Sequence, residues 1–252
     1  MDSQTQERLL EINREFYAQN ASSFSKTRRN VQPGVRQLIP SIPHNAKLLD
    51  IGCGNGNFAL ALAHAGFEGS YFGIDGSLAF IQEAQQAVAL LKTTAEFHFH
   101  TAELSSPHWA DAFQPGSFDL VTCFAVLQHL PGKALQQAIF TQSALLLRSG
   151  GQLMLSAWQV FQSPALTARI LPWEMADIDP KQVESGDILL DWRAGPASEQ
   201  PACRYVHVFT SEELITLGEA AGLSLNSEFY SDGKNQRLAL YQVWEKPLAP
   251  LA

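Results

Sequence analysis

Three cysteines among 252 residues, Cys53, Cys123 and Cys203, are too few and too scattered to form a Cys-x-x-Cys pair or an even disulfide set. That spacing fits a reducing compartment and leaves a structural zinc without its usual thiolates. Long hydrophobic runs are missing as well. No stretch approaches the roughly 18 uninterrupted apolar residues of a membrane span. The opening Met1-Asp2-Ser3-Gln4 lacks the basic-then-apolar profile of a secretion signal, so a cytosolic protein with no membrane partner is expected. Charge is sparse, 17% against 46% apolar residues, which argues against disorder and for a full core in one large domain. Among seven histidines the one close pair is His98 and His100. Their period-two spacing puts both on one strand face, where we expect no carboxylate or thiolate partner and no metal.

Positive charge is scarce outside the N-terminus. Residues 1–45 hold 6 Lys/Arg and 4 Asp/Glu, whereas residues 46–252 hold 11 and 21, so the formal charge of −8 belongs to the body of the chain. An acidic body argues against generic nucleic-acid binding, while Lys26-Thr27-Arg28-Arg29 leaves room for a local phosphate contact or a plain solvated turn.

Apolar positions Leu9, Leu10, Ile12, Phe16 and Tyr17 predict a helix over 5–20, and a short second helix is expected over 33–40. From Ala46 strands alternate with helices. Lys47–Ile51, Ser70–Ile74, Glu96–Thr101, Phe118–Phe124 and Gly151–Ala157 read as strands; helices are expected at 57–66, 77–91 and 133–147. Successive crossovers of this kind force a parallel sheet covered on both faces. The pattern lapses over 158–204, which holds several prolines and the tryptophans 158, 173 and 192; we read it as an insertion of the lid or binding-surface type. Thr210 or Ser211 then caps a helix to about Ala221, and strands at 223–230 and 238–245 predict an antiparallel hairpin at the sheet edge. The expected division is a helical arm over 1–45 that covers the site, and an α/β domain over 46–252 with a substrate-side insertion at 158–204.

The strongest local signal is Leu48-Leu49-Asp50-Ile51-Gly52-Cys53-Gly54-Asn55-Gly56-Asn57-Phe58: a strand, a loop with glycine at every second position, then a helix. Asp75 ends the second strand, 23 residues after Gly52, where an acid can accept both hydroxyls of a ribose. A dinucleotide fingerprint would need Gly-x-Gly-x-x-Gly, but Asn57 stands at the third glycine's place, and no Gly-Lys-Ser/Thr follows for a nucleotide-triphosphate loop. Asp50 would repel a pyrophosphate yet suits the ammonium and sulfonium of S-adenosylmethionine.

These residues resemble the class I S-adenosylmethionine-dependent methyltransferases over most of the chain. Asp50 through Gly56 resembles that family's first motif, Gly73-Ile74-Asp75 its second, and Phe118-Asp119-Leu120-Val121 with Leu127-Gln128-His129-Leu130 its fourth-strand motif. Leu146 through Gly151 looks like the approach to its fifth strand. The third motif usually reads Gly-Asp-Ala; here His100-Thr101-Ala102-Glu103 leaves Thr101, Ala102 or Glu103 to meet the adenine edge. The resemblance implies a Rossmann-like, seven-stranded, mostly parallel sheet with an antiparallel C-terminal hairpin and helices on both faces. It also implies S-adenosylmethionine as cofactor, held by Asp50, Gly52, Gly54, Gly56, Asp75, Gly76, Ser77, Ala102, Glu103 and Phe124, with Arg28 for the cofactor's carboxylate.

A narrower resemblance is to the tRNA wobble-uridine carboxymethyl methyltransferases, carried by Phe24-Ser25-Lys26-Thr27-Arg28, Gly186-Asp187-Ile188-Leu189 with Trp192, and Arg204-Tyr205-Val206-His207-Val208-Phe209. It implies a carboxylate acceptor, already ionised and methylated without a dedicated base, with tRNA as partner and in some members a small activating protein. Arg28, Arg204 and His207 then become candidates for holding the acceptor or its phosphates. His129, following the fourth strand, is a candidate for facing the reacting methyl group. Cys123 as a covalent nucleophile is disfavoured, since nothing nearby in the sequence activates it. Two departures, Val31-Gln32-Pro33 for an aromatic Pro-Trp-Pro and Val206 for a tyrosine, point to an altered substrate. Three readings stay open: a tRNA nucleoside methyltransferase, a small-metabolite O-methyltransferase, and an S-adenosylmethionine-binding protein without turnover.

Overall fold

Apolar runs closed by glycine or polar turns fold as strands β1 (Lys47–Ile51), β2 (Ser70–Asp75), β3 (Glu96–Thr101), β4 (Phe118–Phe124) and β5 (Leu147–Trp158). The computed structural model describes residues 1–27, 30–192 and 202–248, with side chains for all of these except 21–27. It joins the five strands in parallel and completes the sheet with β9 (Ser224–Ser231) and β10 (Ala239–Glu245), in the order β3-β2-β1-β4-β5-β10-β9. β10 runs antiparallel to both β5 and β9, the expected hairpin.

Residues alternate between two cores because successive strand side chains point to opposite faces. Leu48 and Leu120 turn towards helices α3 (Asn57–His64) and α4 (Leu78–Val88), packing with Phe58, Leu62 and Ile81. Leu49, Ile51 and Val121 turn the other way, onto Ile139 and Phe140 of α5 (Lys133–Leu146) and Leu214 of α7 (Ser211–Ala220). Each such fully buried aliphatic chain contributes about 1.5–3 kcal/mol. Thr210 is the residue that caps α7, in a reciprocal box with Glu213. The chain leaves β1 towards β2 on one side and β4 on the other, so a crevice opens at the carboxyl ends of these strands.

Three elements differ from the sequence expectation. Helix α1 (Ser3–Thr27) runs past residue 20, since no proline or glycine interrupts it before Pro33-Gly34, where α2 (Pro33–Leu38) begins. β5 starts at Leu147 rather than Gly151: the register with β4 jumps from Phe118↔Leu147 to Leu120↔Gln152, and Gly150-Gly151 accommodate the looped-out residues. The segment 158–204 is not without regular structure. After the single-turn α6 (Pro164–Thr167), β6 (Ile170–Leu171), β7 (Asp187–Trp192) and β8 (Ala202–His207) form a second, antiparallel sheet. Its strands escape a period-two reading because both faces are buried. Leu189 and Tyr205 pack under Leu9 and Ile12 of α1, while Ile188, Leu190 and Val206 pack on Val160. The three tryptophans of the segment are partly buried against these small cores. Among the described residues no helix is long and apolar enough to cross a membrane.

Candidate functional site

The glycine loop is fastened to the second strand before it meets any ligand. The amides of Gly52 and Cys53 both donate to the Ile74 carbonyl, at 2.7 and 3.0 Å. Gly52 has φ +70°, and a Cβ there would stand 2.2 Å from a methyl of Val126. Gly54, φ +54°, has nothing within 4 Å of its would-be Cβ, so its bare backbone borders open space. Gly56 closes the loop as the residue before α3. The Gly54 amide donates to one Asp75 oxygen at 3.0 Å and the Ser77 amide to the other at 2.8 Å. Each oxygen keeps a lone pair for a ligand hydroxyl. Burial raises the Asp75 carboxyl to about 6, against the pull of these two amides.

Asp50 is buried at the end of β1, taking hydrogen bonds from the Thr122 hydroxyl at 2.6 Å and from the Tyr71 hydroxyl. Desolvation outweighs both bonds and lifts its carboxyl to about 6. Sequence reasoning missed Tyr71 and Thr122. The available signal was a threonine inside the apolar run of β4, which the sheet register sets directly beside Asp50.

Above the loop lies a cavity of about 620 Å³, walled by the strand ends, the start of α4 and one side of α1. Asp50, Gly52, Gly54, Asp75, Gly76, Ser77, Glu103, Phe124 and His129 of the expected site residues all border it, joined by Leu10, Asn13, Arg14 and Tyr17 from α1. Side chains of α1 clamp the far wall: Gln6 donates to the Pro131 carbonyl at 2.7 Å and Asn13 to the His129 carbonyl at 3.1 Å. Arg14 lies 3.5 Å from Glu103 and 2.7 Å from Glu7. His129 sits in the turn after β4, with Nε2 3.0 Å from the Tyr17 hydroxyl and Nδ1 3.2 Å from the Tyr205 carbonyl.

Other expected residues are placed elsewhere. Ala102 does not border the cavity; its amide donates to the Asp75 carbonyl and so fixes the acid from behind. Arg204 is buried, its guanidinium stacked among Trp158, Trp192 and Phe16 at 4.5, 5.3 and 5.3 Å, and it is not part of the cavity wall. His207 is also withdrawn: Nδ1 bonds Asp187 at 2.7 Å, beside the Tyr205 hydroxyl on the same carboxylate oxygen, and its ring packs on Phe209. Arg28 lies outside the described residues. Cys123 lies in β4 with its side chain buried in the core beside Leu49 and Val121, and burial pushes its thiol up to about 12, which leaves no thiolate for nucleophilic attack. His98 does have a carboxylate neighbour, Glu96 at 3.9 Å on the same face, contrary to the sequence expectation. Among the described residues no group of three or more His, Cys, Asp or Glu is arranged for a metal ion.

A family model described as a methyltransferase domain matches residues 23–228, most of the chain. The tRNA (carboxymethyluridine(34)-5-O)-methyltransferase alkbh8 of Xenopus tropicalis is 26% identical over 148 residues, which are 58% of this chain and 21% of that protein. The ubiquinone biosynthesis O-methyltransferase of Methylococcus capsulatus is 34% identical over 133 residues, 52% of each protein. The chain thus spans about a fifth of the first relative's length and about half of the second's. A SAM-dependent methyltransferase from Methanosarcina mazei shares the fold with a TM-score of 0.66 and 22% identity, over 87% of this chain and 100% of that one.

Proposed function

The chain belongs to the methyltransferase-domain family, and on that premise we propose that it methylates an oxygen atom of a small, uncharged acceptor enclosed beneath α1. It is an S-adenosylmethionine-dependent enzyme, and the site fits that cofactor: a bare glycine backbone faces the cavity at Gly54, and two buried acids stand beside it. When bound, S-adenosylmethionine supplies a methyl group activated by a positive sulfur. In this reading Asp75 accepts the ribose hydroxyls with Gly76 and Ser77 alongside, while Asp50, kept in place by Tyr71 and Thr122, faces the cationic end. Phe124 and the glycine loop give the floor, and helix α1 is the roof.

The observation that carries the acceptor class is the charge of the wall. With Asp50 and Asp75 given to the cofactor, Glu103 and Arg14 are the carboxylate and the guanidinium left on the described wall, and Arg14 is paired with Glu7 and Glu103. A carboxylate or phosphate entering there meets no uncommitted Lys or Arg among the described residues, and Arg204 and His207 are engaged inside the small sheet rather than turned towards it. An uncharged oxygen acceptor needs no such counter-charge. A second reading, a carboxymethyluridine in tRNA, is favoured by the name of the amphibian relative and by the motifs around Phe24 and Arg204.

Incubation with tritiated S-adenosylmethionine, bulk tRNA and a tRNA-free small-molecule extract separates them. Alkali-stable label in the small-molecule fraction is the expected result. Label in tRNA that mild alkali releases is a methyl ester and replaces the first reading by the second. If label enters tRNA only after a small activating protein is added, the partner that the tRNA resemblance implies is required as well.

A further inference from the structure

The hydrogen bonds around His129 fix which of its nitrogens can act. Nδ1 lies 3.2 Å from the Tyr205 carbonyl, and a carbonyl oxygen can only accept, so Nδ1 carries the hydrogen. In the neutral ring Nε2 is then the acceptor, and the Tyr17 hydroxyl, 3.0 Å away, donates to it. Asn13 locks this arrangement from both sides. Its amide nitrogen donates to the His129 carbonyl at 3.1 Å, and its amide oxygen accepts from the Tyr205 backbone at 2.9 Å. The ring is further held edge-on to Trp158 and Tyr17 at centroid distances of 5.7 and 5.6 Å. His129 and Tyr17 both border the cavity.

An imidazole with one nitrogen pinned to a carbonyl and the other accepting from a phenolic hydroxyl is the arrangement of an oriented general base that acts through that hydroxyl. A carboxylate acceptor would make no use of it, since it arrives ionised. We infer that the Tyr17 hydroxyl takes the proton of an acceptor hydroxyl, of the phenol class, while passing its own proton to His129 Nε2, so that His129 is the base behind Tyr17. The inference rests on the methyltransferase reading above and names its substrate class. Phe58, Phe80, Phe124 and Leu130 supply apolar wall suited to a ring-bearing acceptor. In the step, the acceptor's O–H electron pair stays on its oxygen as the proton moves to the Tyr17 oxygen and the Tyr17 proton moves to Nε2, and the acceptor oxygen bonds the methyl carbon. The C–S pair remains on sulfur, and the charge lost there reappears on the imidazolium, which releases its proton to solvent.

The test uses the whole chain with tritiated S-adenosylmethionine and three probes: catechol, 4-nitrophenol at a pH where it is largely ionised, and benzoate. The wild type is expected to label catechol as an alkali-stable ether and to leave benzoate unlabelled. His129→Ala is expected to lower kcat on catechol by roughly 10²–10⁴-fold, but to spare the pre-ionised nitrophenol to within about tenfold. His129→Asn, which keeps a donor for the Tyr205 carbonyl, repeats the split if the alanine variant folds poorly. Tyr17→Phe is expected to lower kcat on catechol more than on nitrophenol, with KM little changed. Independently of turnover, ¹⁵N-histidine spectra of the unliganded chain are expected to give the His129 signal, identified by its loss in His129→Asn, as the Nδ1–H form. No label in catechol by a chain that binds S-adenosylmethionine, equal losses on both phenols, or a proton on Nε2 in the neutral ring each overturns the inference. Label in tRNA or benzoate alone removes it while leaving methyl transfer intact; failure to bind S-adenosylmethionine in calorimetry removes the parent reading.

Discussion

Replacing Asp50 by Asn separates the two things a buried carboxylate does here. Its oxygens are hydrogen-bonded by Tyr71 and Thr122, yet burial dominates and lifts the carboxyl from 3.8 to about 6. The folded chain therefore holds this proton to higher pH than the unfolded chain. The folded state is unpenalised while both forms are protonated, loses stability as pH climbs from about 4 to about 6, and carries the full penalty above that. The displacement corresponds to about 3 kcal/mol of lost stability at pH 7. Asp75, raised in the same direction by burial, titrates over the same range, so the informative quantity is the difference between wild type and variant, which cancels all but the repulsion between the two carboxylates. Urea unfolding of the cofactor-free proteins is expected to find Asp50→Asn more stable by up to about 3 kcal/mol at pH 7, by roughly half of that at pH 5, and by almost nothing below pH 4. Affinity for S-adenosylmethionine moves the other way and is expected to weaken at least about tenfold, since the variant no longer offers a negative charge to a cation. A variant no more stable at pH 7, or one whose advantage persists unchanged in acid, refutes the burial argument. Unchanged cofactor affinity refutes the assignment of Asp50 to the cationic end.

Gly52→Ala combines a left-handed backbone with an overlap on Val126, and is expected to destabilise by about 2–4 kcal/mol in chemical denaturation. Adding Val126→Ala restores the steric part only; if the double variant gains nothing, Val126 is not the obstacle. His207→Gln removes a ring wedged between Asp187 and Phe209, so calorimetry is expected to find about 1–3 kcal/mol of lost stability with kcat of the folded protein nearly unchanged. Collapse of kcat at an unchanged Tm returns His207 to the acceptor site. Cys123→Ala is expected to turn over like wild type, because a thiol buried in the core and pushed up to about 12 offers no nucleophile; loss of activity without loss of fold contradicts that reading.

The strands and the glycine loop were legible because local sequence determines them: a run such as Leu48-Leu49-Asp50-Ile51 followed by three spaced glycines permits few other conformations. Asp75 was legible for the same reason, lying at a fixed distance along one crossover. Arg204 and His207 were placed at the acceptor because a polar residue in a strand reads identically whether it serves a ligand or the interior. What decides is the partner. For His207 that partner is Asp187, brought opposite by the register of β7 and β8, and for Arg204 it is the aromatic surround completed by Phe16 from α1. The small sheet itself was hidden by the same cause, since burial on both faces erases the alternation by which a half-exposed strand is recognised.

Helix α1 illustrates how a roof can be specified by a sequence that reads as an ordinary amphipathic segment. Leu9, Ile12 and Phe16 recur at helical spacing and are buried, the first two on the small sheet and Phe16 against Phe80 of α4, which fixes the rotation of the helix about its axis. That rotation turns Leu10, Asn13, Arg14 and Tyr17 towards the cavity. The residues that reach His129 and Glu103 are thus chosen by the packing of their neighbours. A change that only loosens Leu9 or Ile12 should therefore act on the site through the Asn13 and Tyr17 contacts, although neither apolar residue borders the cavity.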